Sequence, residues 1–169
     1  MSSTPDVVVE RVIAATPERI WKAWTDAREL EKWFFSKTME MSARQDGNYR
    51  ILWEGNDPEH NHERWGKYLE FDPPRKLVFE WMGVGPKKNP AEPGYDPQVD
   101  SRTVVSVTMA PVANGTLVKI IHTGWGEGEV WKGSRDSHQG GWTFYLENLE
   151  SVLGSGPDLR VGTKQKLNG

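Results

Sequence analysis

The chain has 169 residues, no cysteine, and 21 basic against 24 acidic side chains, for a net charge of −3. That length suits one domain able to bury a sizeable core without disulfide or metal staples. The missing cysteines exclude disulfides, thiolate metal sites and a cysteine nucleophile, and the near-balanced charge leaves no broad footprint for nucleic acid or an anionic membrane.

Residues Met1 to Asp6 are short and polar, without the basic and apolar regions of a secretory signal. No run approaches the roughly 20 apolar residues of a membrane span. These features, with a cysteine content that fits a reducing compartment, predict a soluble cytoplasmic protein. Val7 to Ala15 (VVVERVIAA) is rich in β-branched residues and reads as a first strand. Thr16-Pro17-Glu18 then combines an N-cap hydroxyl, a proline at the first helical position and a first-turn acid. The helix it opens carries Ile20, Trp21, Ala23 and Trp24 inward. Asp26-Ala27-Arg28-Glu29 resembles a capping box, and Leu30, Trp33 and Phe34 follow at helical spacing, which predicts a second short helix.

From about Lys37 the pattern becomes strands and turns. Asp46-Gly47 separates 38–43 from 49–54, Asp72-Pro73-Pro74-Arg75 separates 65–71 from 77–82, and Asn114-Gly115 separates 103–109 from 117–122. A meander of six strands results. Gly83 to Ser101, with four prolines, is a long connection that reads as either a surface loop or a pocket lid. The last element starts near Glu127 or Val130 and runs to about Leu153. Trp142, Tyr145, Leu146, Leu149, Val152 and Leu153 form one continuous helical face, stopped by Gly154-Ser155-Gly156-Pro157. Gly140 and Gly141 inside it either permit close approach to the sheet or mark where the straight helix begins. The fold class predicted is α+β, a curved antiparallel sheet of about seven strands around this helix. One domain spans 7–155, with polar tails at 1–6 and 156–169.

Nine tryptophans stand beside only five phenylalanines. Such rings fill cores, and they also suit the wall of an amphipathic ligand cavity. On the strands, Lys119 marks its own face as solvent, which turns Val118, Ile120 and His122 inward. The same alternation turns Tyr49, Ile51 and Trp53, and Leu77, Phe79 and Trp81, toward the core. It is ambiguous around Trp65, where a bulge near Gly66 would fit. An inward His122 is either a hydrogen-bonded core residue or a polar anchor for a ligand. His138 is either a surface residue of the helix or a neighbour of a cavity mouth. His60-Asn61-His62 beside Asp57, Glu59 and Glu63 has metal-ligand types but sits in a polar loop without a supporting framework. No nucleophile elbow, phosphate-binding loop or dinucleotide fingerprint occurs, and no cofactor is assigned.

The segments IAATPERIWKAWTD (13–26), LEKWF (30–34), EFDPPRKLVFEW (70–81), NGTLVKIIHTGW (114–125) and HQGGWTFYLENLESVL (138–153) resemble the SRPBCC (START-like, Bet v 1-like) superfamily and, within it, the AHSA1 family of Hsp90 ATPase activator homologues. The resemblance covers about 7–155 and implies a helix-grip fold with a cavity between the concave sheet and the long helix. It implies three kinds of function: binding of a small hydrophobic or amphipathic ligand, a protein-interaction module that engages an Hsp90-like partner, and a cyclase or hydrolase. Apart from the resemblance, an exposed strand edge or apolar patch would allow a homodimer. The sequence departs from the family in the connection 83–101. The expected ligand-contacting residues are Trp53, Trp65, Trp81, Met109, His122, Trp142 and Tyr145, with Trp142 the packing anchor at the closed end.

Overall fold

In β1 (Val7–Ile13), Val7, Val9 and Ile13 are buried while Val8, Glu10 and Val12 face solvent, the period-two pattern of a half-covered strand. The computed structural model describes residues 4–84, 89–93, 95–99 and 101–161. After β1, the Thr16 hydroxyl accepts the Arg19 N–H at 3.2 Å and opens α1 (Pro17–Thr25), which buries Ile20, Ala23 and Trp24. Asp26 both ends α1 and starts α2 (Ala27–Trp33): its N–H donates to the Lys22 carbonyl, and its carboxylate accepts the N–H groups of Arg28 and Glu29 at 2.9 and 3.2 Å. The expected capping box is therefore only half made. With the Asp26 N–H already spent on α1, Glu29 turns instead to Arg19 and Lys32.

The six remaining strands are β2 (Lys37–Met41), β3 (Asn48–Trp53), β4 (His62–Asp72), β5 (Lys76–Val84), β6 (Thr103–Val112) and β7 (Gly115–Thr123). They form one curved antiparallel sheet in the order β1-β7-β6-β5-β4-β3-β2, so the first strand closes on the last, with Val7 opposite His122. Two of the turns use positive φ, 63° at Asp46 and 141° at Gly115, where Asp and Gly tolerate it. β4 begins three residues before the run its turn signals suggest. Its bulge falls between Tyr68 and Glu70, not at Gly66, which stays in register opposite Tyr49. Residues 85–88, 94 and 100 of the proline-rich connection lie outside the described residues. Its described part brings a 3-10 turn, Pro97–Val99, against the end of β5 and buries Gln98.

α3 (Glu129–Leu153) lies across the concave face and buries Trp142, Leu146, Asn148 and Leu149. It runs unbroken through Gly140 and Gly141, and neither supports close approach to the sheet: a Cβ built on either meets nothing within 4 Å. The stop expected at 154–157 is present, with the Gly154 N–H on the Glu150 carbonyl. The described residues beyond it, up to 161, are not a free tail. Asn148 donates to the Trp33 carbonyl at 2.8 Å and accepts the Leu159 N–H at 2.7 Å, while Arg160 donates to the carbonyls of Phe35 and Glu31, both at 2.9 Å. Residues 157–161 thus strap the C-terminal end of α2. At the other terminus the Thr4 hydroxyl donates to the Trp125 carbonyl. No helix among the described residues is long and apolar enough to cross a membrane.

Candidate functional site

Between α1, α2 and the sheet lies a void of about 20 Å³, little more than the room for one water. Trp24, Leu30, Phe34 and Phe35 line it from the helical side, and Met41, Tyr49, Ile51, Tyr68, Leu77, Phe79 and Trp81 from the sheet. Phe34 is the hub, with ring centroids 5.2 Å from Trp53, 5.5 Å from Trp142 and 5.0 Å from Tyr145. Met41 also lines an open depression of about 450 Å³ formed by Thr25, Asp26, Ala27, Arg28 and Ala43. One flexible, half-buried thioether side chain is therefore shared by the void and the open depression. The polar atoms of the lining are neutral. Burial pushes the Tyr49 and Tyr68 hydroxyls well above their ordinary range, and Tyr49 donates to the Glu80 carbonyl. The Trp24 indole N–H is buried and has no hydrogen-bond partner among the described residues.

Trp81 forms the partition between this void and a polar layer near the end of the sheet. Arg64 points inward from β4, and its guanidinium lies 5.6 Å from the Trp81 ring. Gly83 makes the room: a Cβ there would stand 2.4 Å from Arg64 Nη1. Asp96 meets Arg64 Nη2 at 2.5 Å and also accepts the Gln98 N–H at 2.9 Å. Burial works to raise the Asp96 carboxyl, but Arg64 and the Gln98 N–H outweigh it and hold the group below the usual carboxylate value. Arg64 Nη1 and Gln98 Nε2 are buried without a partner among the described residues.

The two histidines of this layer have determined tautomers. Trp142 donates its indole N–H to His122 Nδ1 at 3.0 Å, so the proton of the neutral ring is on Nε2, 2.6 Å from the Thr103 hydroxyl. Trp81 donates to His138 Nε2 at 3.1 Å, which leaves His138 Nδ1–H to donate to the Ser134 carbonyl at 2.8 Å. Burial drives the His122 pKa well below its ordinary value, with the neighbouring His138 and Arg64 adding to it. Burial likewise brings His138 down to about 4. Both rings are held neutral with both nitrogens engaged, an arrangement that locks packing and leaves neither ring a free nitrogen.

The predicted contact residues separate on this geometry. Trp81 lines the void. Trp53 and Tyr145 are half-buried behind Phe34, and Trp53 donates to the Phe34 carbonyl at 2.9 Å. Trp142 and His122 belong to the polar layer beyond Trp81. Met109 is buried in β6 opposite Val118, away from the void. Trp65 is on the other face of the sheet, between inward Arg64 and Gly66, where its ring packs 4.7 Å from the Arg50 guanidinium. Its placement follows from register: with Gly66 paired to Tyr49, every second residue of β4 before the bulge faces in, and Trp65 does not. Sequence reasoning missed Arg64, Asp96 and Gln98. His60 of the histidine-containing loop hydrogen-bonds Asp57 at 2.7 Å on the surface.

A family model described as activator of Hsp90 ATPase homolog 1-like protein matches residues 14–154. No curated protein matches the chain. Among solved structures, a protein from Arthrobacter aurescens superposes with a TM-score of 0.73 at 20% identity, covering 93% of each chain. A protein from Mesorhizobium loti gives 0.70 at 24% identity, covering 90% of this chain and 99% of that one. The Aha1 dimer from Colwellia psychrerythraea gives 0.63 at 21% identity, covering 89% of this chain and 96% of its own. Likeness at these identities establishes the shared fold.

Proposed function

The chain belongs to the family of activator of Hsp90 ATPase homolog 1-like proteins, and from that premise we propose that it binds a small hydrophobic molecule at the aromatic-lined void. The observation that carries the reading is Met41, a single adaptable side chain shared by the void and the outer depression. A drug-sized ligand needs roughly 300–1,000 Å³, so occupancy requires the void to open, and withdrawal of Met41 joins it to the larger depression. The lining is apolar, and rings that already meet edge-on have alternative packings of similar energy. The test is a titration of small aromatic compounds followed by tryptophan emission, on the wild type and on Met41→Ala. Saturable binding that tightens or accelerates in Met41→Ala supports the reading. No saturable response in either protein refutes it.

The Colwellia relative, described as an Aha1 dimer, favours a second reading, a protein-interaction module that engages an Hsp90-type ATPase or a second copy of itself. Stimulation of Hsp90 ATPase turnover by the purified protein, with sedimentation to count subunits, tests it. A monomer without effect on turnover sinks that reading.

A further inference from the structure

Trp24 is 2% exposed and lines the void, yet its indole N–H has no partner among the described residues. The contrast with its neighbours is informative. Trp33, Trp53, Trp81, Trp125 and Trp142 each place the indole N–H on a carbonyl or an imidazole nitrogen at 2.8 to 3.1 Å. The fold thus satisfies indole donors where it can, and leaves one unsatisfied at the wall of its cavity. A buried donor without an acceptor is a standing cost that a bound acceptor removes.

The lining also selects by charge. The inner lining contains no lysine, arginine or histidine and its tyrosines are held protonated; Arg64 lies behind Trp81 and is already paired with Asp96, and Arg28 lines only the outer depression beyond Met41, together with Asp26. An anionic group entering this wall would lose its hydration with no countercharge to replace it. We propose that the cavity selects neutral aromatic molecules bearing one exposed acceptor oxygen, such as an aryl ketone, and that the Trp24 indole N–H is the donor that reads it. This inference rests on the ligand-binding reading above and names the ligand class for the same site.

Three probes with one ring system separate the possibilities: indane, 1-indanone and indane-1-carboxylate, titrated by calorimetry into the wild type and Trp24→Phe. The indole N–H resonance assigned to Trp24 is followed in parallel. The expected order is 1-indanone tighter than indane by about tenfold, the range of one net hydrogen bond, with indane-1-carboxylate weakest. The Trp24 resonance shifts downfield with 1-indanone and not with indane. Trp24→Phe also reshapes the wall, so the readout is the ratio of the two affinities: the preference for 1-indanone over indane is lost. Equal affinity for indane and 1-indanone in the wild type, or a preference that survives Trp24→Phe, overturns the proposal while leaving ligand binding standing. Tightest binding of indane-1-carboxylate overturns the charge argument. Absence of binding by all three overturns both the proposal and the reading it rests on. If Trp24→Phe does not fold, the resonance shift and the probe order in the wild type decide alone.

Discussion

Acidifying the protein from about pH 7 to about pH 4.5 tests the polar layer directly. A proton added to His138 would go to Nε2, where the Trp81 indole N–H already points, and one added to His122 would go to Nδ1, where the Trp142 N–H points. Each protonation sets donor against donor, at His122 in a fully buried site and at His138 in a half-buried one. For His138 the pKa falls from 6.5 to about 4; at about 1.4 kcal/mol per pH unit the ring accounts for about 3 kcal/mol of stability. The sign follows from proton uptake. Between those two values the unfolded chain holds a proton that the folded chain does not, so stability is fully present above 6.5 and is lost as pH falls toward 4. His122, lowered further, acts in the same direction. Urea unfolding at intervals across this window gives the slope. His138→Gln, which has no proton to take up, should lower that slope by up to about 1.4 kcal/mol per pH unit. An unchanged slope in the variant, or a His138 imidazole that titrates near 6.5 by NMR, would refute the assignment of a neutral, doubly bonded ring.

Gly140 is exposed, and a Cβ there meets nothing within 4 Å, so Gly140→Ala should raise stability by about 1 kcal/mol; a lower thermal midpoint would mean that the helix needs this glycine for a contact absent from the single chain. Arg64→Met strands the Asp96 carboxylate in a largely buried site and should cost about 3 kcal/mol or more. Adding Asp96→Asn should recover part of that loss in urea unfolding, whereas a further loss on the second substitution would argue that the two groups act separately.

Period-two alternation was enough to orient β5 and β7, because Lys119 marks one face of β7 as wet and so turns His122 to the other. The helix starts at Thr16 and Asp26 were readable for a similar reason: caps are local, and the hydrogen bonds that make them span two or three residues. What stayed hidden depends on partners far along the chain. Arg64 at an inward strand position runs against the apolar pattern, and its justification, Asp96, comes 32 residues later in irregular backbone. The residues after Gly156 look polar and unstructured, yet Arg160 is held by carbonyls 125 and 129 positions away. Backbone acceptors leave no trace in composition. Trp65 was misplaced because nothing in its immediate neighbours distinguishes the two faces of β4; only pairing of Gly66 with Tyr49 does so.

The closure of β1 on β7 has a consequence for how the protein is made. Val7 pairs with His122 and Ile13 with Thr116, so β1, which leaves the ribosome before the other strands of this sheet, has no partner until more than a hundred further residues have followed. At about 5–20 residues per second that interval is on the order of ten seconds, during which a strand rich in valine keeps a full ladder of unpaired N–H and C=O groups. The β2 to β6 meander pairs strand by strand and has no such wait. The folding barrier is thus concentrated in one long-range event. A nascent-chain experiment would find β1 to be the last part of the sheet to gain protection from hydrogen exchange, although it is the first strand of the sheet to be synthesised.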